Sequence, residues 1–196
     1  MAIQIDHTGR RALVTGAGAG IGRKIAHWLA QAGASVVVND LIPDRAEAIA
    51  SEINTNPDRC GRAVAVAADC RDDEAIDALV TTTVEHLGGL DLAVNNVGML
   101  PPGRRPQPFV ANRGDDWRDI IDQNLVLAAL CARAEAESMQ AAGVGGSILF
   151  VTSGETTRPA PYNAVYAAAK AAINHLVSTM AVELGPDGIR VNAMAP

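Results

Sequence analysis

The sequence predicts an α/β protein built on a doubly wound parallel sheet. Three observations carry that prediction: short aliphatic runs, longer helical segments alternating with them, and a length of 196 residues. That length suits one domain with a sizeable core, spanning residues 1–196. The runs are RALVTG (11–16), ASVVVND (34–40), RAVAVAADC (62–70), LDLAVNN (90–96), GSILFVTS (146–153) and IRVNAMA (189–195). They are dense in β-branched and aliphatic residues, as strands buried on both faces are. Helical segments at 21–33, 43–55, 72–87, 115–142 and 162–184 separate them. Strand–helix alternation with right-handed crossovers puts helices on both faces of the sheet.

The first run leads directly into Thr15-Gly16-Ala17-Gly18-Ala19-Gly20-Ile21-Gly22, which opens the first helical segment; Gly33 closes that segment. The spacing is T-G-x-x-x-G-x-G, which fits neither G-x-G-x-x-G nor a phosphate loop ending in G-K-[ST]. Without Cβ atoms the backbone can turn sharply and approach a pyrophosphate at the helix N-terminus. Gly16, Gly18, Gly20, Ile21 and Gly22 are therefore candidate dinucleotide contacts. Asp40 ends the second run about 20 residues downstream, where a carboxylate accepts the adenosine-ribose hydroxyls and repels a 2′-phosphate. Ala19 precedes Gly20 and Leu41 follows Asp40, so no base adjoins them, and NAD is favoured over NADP. The competing role for Asp40 is to cap the helix that starts at Pro43. Asp72, Asp73 and Glu74 put carboxylates at the third helix's N-terminus. After the fourth run, MLPPGRRPQPFVANRG (99–114) is kept from helix or strand by Pro and Gly. Arg104 and Arg105 in it are either solvated or placed to meet an acidic substrate group.

The last two elements carry the most specific signal. Ser153 closes the fifth run, and thirteen residues later Tyr166 and Lys170 stand one helical turn apart in YAAAK. An ammonium beside a phenol stabilises the phenolate and draws its pKa down from about 10. A phenol so tuned exchanges a proton with an alcohol or carbonyl. Ser153 falls at the carboxyl end of a strand, where open α/β sheets bind ligands. Y-x-x-x-K alone is commonly a solvated surface pair; in register with the glycine turn, Asp40 and Ser153 it reads as a site.

Taken together, T-G-x3-G-x-G and Ser-x12-Tyr-x3-Lys resemble the short-chain dehydrogenase/reductase family, whose fold is the Rossmann sheet. DLAVNNVG resembles its N-N-A-G element, with Asn95, Asn96 and Gly98 matched and Val97 in place of Ala. Asp69, followed by Cys70, matches the acidic position beside the adenine. Asn124 matches the asparagine that completes the family's catalytic tetrad, and IRVNAMAP matches its sixth strand. The resemblance implies that Tyr166 is the general acid/base. Lys170 would lower its pKa and hold the nicotinamide ribose. Ser153 would bond the substrate oxygen, and Asn124 would fix a helix irregularity and a water that relays protons. It implies cofactor contacts at Asn96, Val97 and Gly98, at Asp69 and Cys70, and at Tyr166 and Lys170.

The expected activity is an NAD-dependent oxidoreductase interconverting a secondary alcohol and a ketone. An NADPH-dependent 3-oxoacyl thioester reductase and a non-catalytic nucleotide-binding protein are the alternatives. Glu155, Thr156 and Tyr162 would shape a partly polar substrate pocket. The resemblance also implies a homodimer or homotetramer through the helices at 115–142 and 162–184. In the family the chain continues past Pro196 into a lid and a last edge strand. Either a longer protein carries these, which is the expectation, or 189–194 is an open sheet edge.

Composition limits the partners. The net charge of −6 argues against nucleic acid and anionic membrane surfaces, which require a basic face. No apolar run reaches the ~20 residues of a bilayer span, and the start lacks a signal pattern. Cys60, Cys70 and Cys131 are odd in number and lack C-x-x-C spacing; a cytoplasmic protein with reduced thiols is expected. His7, His27, His86 and His175 show no metal-ligand spacing, and no metal is expected.

Overall fold

In the computed structural model, which describes residues 5–57 and 60–196, six strands alternate with helices. The strands are β1 (Arg11–Val14), β2 (Ser35–Asp40), β3 (Arg62–Ala67), β4 (Leu92–Asn95), β5 (Gly146–Val151) and β6 (Ile189–Met194). The helices are α1 (Gly20–Gln31), α2 (Pro43–Thr55), α3 (Asp73–Leu87), α4 (Gly114–Ile121), α5 (Leu127–Ala142) and α6 (Ala164–Leu184). All strand pairs are parallel, in the order β3-β2-β1-β4-β5-β6. The chain winds outward from β1 to β3, then crosses to β4 and winds the other way. A crevice therefore opens between the carboxyl ends of β1 and β4.

Both sheet faces are apolar because side chains alternate along each strand. Leu13, Val37, Ala93, Ile148, Phe150, Ile189 and Val191 pack against α3, α5 and α6. Ala12, Val14, Val36, Val38, Val94 and Val151 pack on the opposite side with Ala26 and Ala30 of α1 and Ile49 and Ile53 of α2. With so few aromatics, small aliphatic residues fill these layers. At the amino edge of the sheet, Arg11 grips Asp91 through two guanidinium bonds of 2.7 and 2.8 Å. Those bonds hold the Asp91 carboxyl below its ordinary range. Asp72 caps α3, its carboxylate accepting from the Glu74 and Ala75 amides at 3.0 and 3.4 Å.

Two elements differ from the expectation. The segment expected as one helix over 115–142 is two, α4 and α5, joined by a wider turn at Asp122–Val126 where the Leu127 amide donates to the Asp122 carbonyl. That turn holds Asn124, whose side-chain amide bonds the Ile120 carbonyl at 2.9 Å and competes with the helical ladder. The loop 99–114 also contains a short turn of helix at Phe109–Ala111. Arg104 in that loop bonds Asp116 at 2.7 Å and also pairs with Asp119, so it fastens the loop to α4 and its charge is already neutralised. The loop is further tied to the chain after β5 by the Gln107 amide and the Tyr162 carbonyl at 2.8 Å.

Candidate active site

The glycine turn lies between β1 and α1 and forms one wall of the crevice. Gly16 and Gly20 have φ of +61° and +57°, a left-handed conformation that other residues rarely adopt. Gly18 is required for another reason: a Cβ there would lie 2.5 Å from Asp40 Oδ2. The Asp40 carboxylate accepts from the Gly18 amide and the Ile42 amide, each at 3.0 Å. It thus braces the turn as well as standing at the end of β2. Buried Gly22 sits in the first turn of α1, while Ile21 is exposed at its start. From β4, Asn96 donates its side-chain amide to the Thr15 and Gly16 carbonyls at 3.1 and 3.0 Å, and its backbone amide to Thr15 Oγ1. The N-N-V-G element therefore buttresses the glycine turn across the crevice, with Val97 packed beside Gly16.

Further along the rim, Asp69 and Cys70 follow β3. The Asp69 carboxylate is bound by the Arg71 guanidinium at 2.6 to 3.2 Å, which lowers its pKa. The Cys70 thiol turns inward to Asn39 Oδ1 at 3.3 Å. What these two residues offer the crevice is backbone, because both side chains are engaged elsewhere.

Four side chains meet at the carboxyl edge near β4 and β5. Ser153 stands just after β5 and its hydroxyl accepts from the Glu155 amide at 3.2 Å. Tyr166 on α6 is half-buried, with the Lys170 Nζ 5.9 Å from its ring centroid. Lys170 is buried and donates to the Val151 carbonyl at 3.0 Å. Asn124 is fully buried; its amide bonds the Met99 and Ile120 carbonyls, and its Oδ1 has no partner among the described residues. Gly98 lies where Lys170 and Asn124 converge: a Cβ there would fall 2.3 Å from Lys170 Nζ and 3.0 Å from Asn124 Oδ1.

The electrostatics depart from the simple pairing read in YAAAK. Burial lowers the Lys170 pKa to about 8, because a desolvated ammonium is disfavoured. Burial, and then the Glu155 carboxylate, push the Tyr166 phenol above its ordinary value, and a hydrogen bond with Ser153 pulls the other way. The one-turn spacing is real, but the amine sits under the ring, tied to Val151, and does not dominate the phenol's proton affinity.

Two participants carry no signal in the sequence pattern. Arg45 lies five residues past Asp40, beyond the adjoining positions, yet its Cβ would be 2.7 Å from a Cβ on Gly18. Its side chain is exposed and forms no ion pair among the described residues, so the root of a basic side chain stands at this rim. Asn163 precedes α6 and donates to both Glu155 oxygens, at 3.3 and 3.0 Å. Among the described residues no group of three His, Cys, Asp or Glu could hold a metal. None of the helices among the described residues is long and apolar enough to cross a membrane.

Comparison with known proteins agrees with this layout. A family model described as short chain dehydrogenase matches residues 10–196. The chain is 40% identical over 188 residues to the short chain dehydrogenase/reductase astE of Aspergillus oryzae, covering 96% of this chain and 70% of that one. It is 36% identical over 190 residues to a 3-oxoacyl-[acyl-carrier-protein] reductase of Synechocystis, covering 96% and 74%. A solved 7α-hydroxysteroid dehydrogenase in complex with NADH and 7-oxo glycochenodeoxycholic acid superposes with a TM-score of 0.89 at 37% identity, covering 98% and 72%.

Proposed function

The chain belongs to the short-chain dehydrogenase/reductase family, oxidoreductases acting on CH–OH groups, and from that premise we propose that it interconverts a secondary alcohol and a ketone with NAD. One observation supports this above the rest: Ser153, Tyr166, Lys170 and Asn124 converge beside the glycine turn. Gly20, the first residue of α1, has nothing within 4 Å of where a Cβ would lie, and that open space at a helix N-terminus suits a pyrophosphate. Gly16 to Gly22 would hold the phosphates and Asp40 the adenosine ribose. The backbone at Asp69 and Cys70 would meet the adenine, and Val97, Gly98 and Lys170 the nicotinamide ribose. When bound, the nicotinamide supplies or accepts the hydride.

The chain's own residues handle the proton. Tyr166 gives its phenolic proton to the carbonyl oxygen during reduction and takes it back during oxidation. The Ser153 hydroxyl donates to the same oxygen, where negative charge develops. With a pKa near 8, Lys170 can pass a proton at working pH. Asn124 Oδ1 is an unused acceptor beside it, suited to a water linking Lys170 to solvent.

Arg45 and the Synechocystis relative favour a second reading, reduction of a 3-oxoacyl thioester with NADPH. Measuring NADH- and NADPH-linked turnover over a panel of ketones, alcohols and 3-oxoacyl thioesters separates the two. The expected result is ketone reduction with NADH preferred, and a loss of that preference by about 10- to 100-fold in Asp40→Ser, the worth of charged hydrogen bonds. A wild-type preference for NADPH that disappears in Arg45→Ala would overturn the NAD reading. We also read the molecule as a homodimer or homotetramer through α4, α5 and α6. Light scattering at micromolar concentration is expected to give at least twice the chain mass, and a monomer would refute this.

A further inference from the structure

Glu155 stands next to Ser153 and to the start of the helix that bears Tyr166, and among the described residues its charge is left without a cation. The turn Gly154–Thr156 begins at Ser153, whose hydroxyl accepts the Glu155 amide, so the chain doubles back immediately after the substrate-oxygen position. Asn163, three residues before Tyr166, then takes both carboxylate oxygens at 3.3 and 3.0 Å. The carboxylate is thereby tethered to Ser153 through the backbone and to the start of α6 through its side chain. It makes no ion pair among the described residues. Arg158 is exposed and unpaired with it, Lys170 is tied to the Val151 carbonyl, and Arg104 is neutralised by Asp116 and Asp119. A neutral amide orients a carboxylate but leaves its charge intact, and a like charge nearby disfavours a phenolate.

We propose that Glu155, oriented by Asn163, is a positioning and specificity residue: it keeps negative charge beside the Tyr166 phenol and the reacting oxygen, so that the phenol retains its proton and neutral or cationic carbonyl substrates are taken in preference to acidic ones. The substrate half of this rests on the oxidoreductase reading above; the phenol half does not. Glu155 exchanges no proton with substrate. It acts through the proton affinity of Tyr166, favouring the protonated phenol that reduction needs, and through repulsion of an anionic group carried by the substrate.

The chain has only two tyrosines, Tyr162 and Tyr166, so in a Tyr162→Phe background the ultraviolet absorbance of tyrosinate reports Tyr166 alone. Adding Glu155→Gln, which keeps an acceptor for Asn163 and removes the charge, is expected to lower the Tyr166 midpoint by about one pH unit. Glu155→Asp keeps the charge and is expected to hold most of the wild-type midpoint. Asn163→Ala frees the carboxylate without removing it and is expected to move the midpoint the same way by less; it serves if the Gln variant fails to fold. An unchanged midpoint in a folded charge-removing variant would overturn the proposal. In steady-state assays, keto acids and their matched methyl esters are compared with the full chain and its cofactor. Wild type is expected to favour the esters, and Glu155→Gln to raise kcat/KM for the acids about tenfold, the worth of a single weakened charge contact. A wild-type preference for the acids would overturn the specificity half. Absence of turnover on every substrate would sink the oxidoreductase reading, while the tyrosinate titration still decides the phenol half.

Discussion

Tyr166→Phe is expected to lower turnover by about 10²- to 10⁴-fold, the usual contribution of a positioned general acid/base, while leaving dinucleotide affinity within about twofold. The substitution removes one oxygen and nothing else. The ring is half-buried on α6 and stays in place, Lys170 keeps its bond to the Val151 carbonyl, and the glycine turn lies on a different element. What disappears is the proposed proton donor in reduction and acceptor in oxidation. Ser153 cannot substitute, because a serine hydroxyl is too weak an acid to release its proton at the moment of hydride transfer. Single-turnover NADH oxidation and a fluorescence titration of NADH, run on the same preparation, separate chemistry from binding. Full activity in this variant would end the proposed mechanism.

Glu135→Gln is expected to remove a slope from the pH dependence of stability. Glu135 on α5 is fully buried; Oε2 accepts the Asn95 amide at 2.7 Å, while Oε1 and Asn95 Oδ1 have no partners among the described residues. Burial pushes its pKa up from 4.5 to about 8, against the smaller pull of the Asn95 bond. The folded state therefore holds a proton that the unfolded chain loses above 4.5. The stabilisation is complete below that value and drains away as pH rises, until it levels off beyond about 8. A neutral glutamine pays no ionisation penalty, so the variant and wild type should match at low pH. Near pH 8 the variant should be the more stable by an amount on the order of 2–4 kcal/mol, from the size of such a shift. Lys170 acts in a separate window with the opposite sign. Its folded pKa of about 8 lies below the unfolded 10.5, so stability climbs with pH between those values. Urea melts at several pH values from 4.5 to 8 test the assignment. Parallel curves for variant and wild type would show that Glu135 is not the titrating group.

Much of the candidate site is legible in the sequence because its parts are local. The turn from Thr15 to Gly22, the carboxylate ending β2, and the one-turn spacing of Tyr166 and Lys170 all depend on residues close in sequence, where helix and strand periods place side chains directly. The family resemblance implies the irregularity at Asn124, and its cause is visible only in the bond from its amide to the Ile120 carbonyl. The partners of Arg104 are not legible in the sequence, because its two aspartates lie on α4, twelve and fifteen residues away. Arg45 carries no local signal, because a helical turn, and no adjacency in sequence, brings its Cβ to Gly18.

On its own, then, the sequence determined the alternation of strands and helices, the parallel sheet, and the order of the motifs, since each follows from periodicity or short spacing along one chain. The tertiary structure alone decided which charges are buried, what faces them, and how strongly each group holds its proton. Desolvation and through-space Coulomb interactions depend on segments far apart in sequence: Asn95 against Glu135 across 40 residues, and the Val151 carbonyl against Lys170 across 19. Such distances have no counterpart in a linear pattern, so the protonation chemistry of this crevice emerges only when the sheet is assembled.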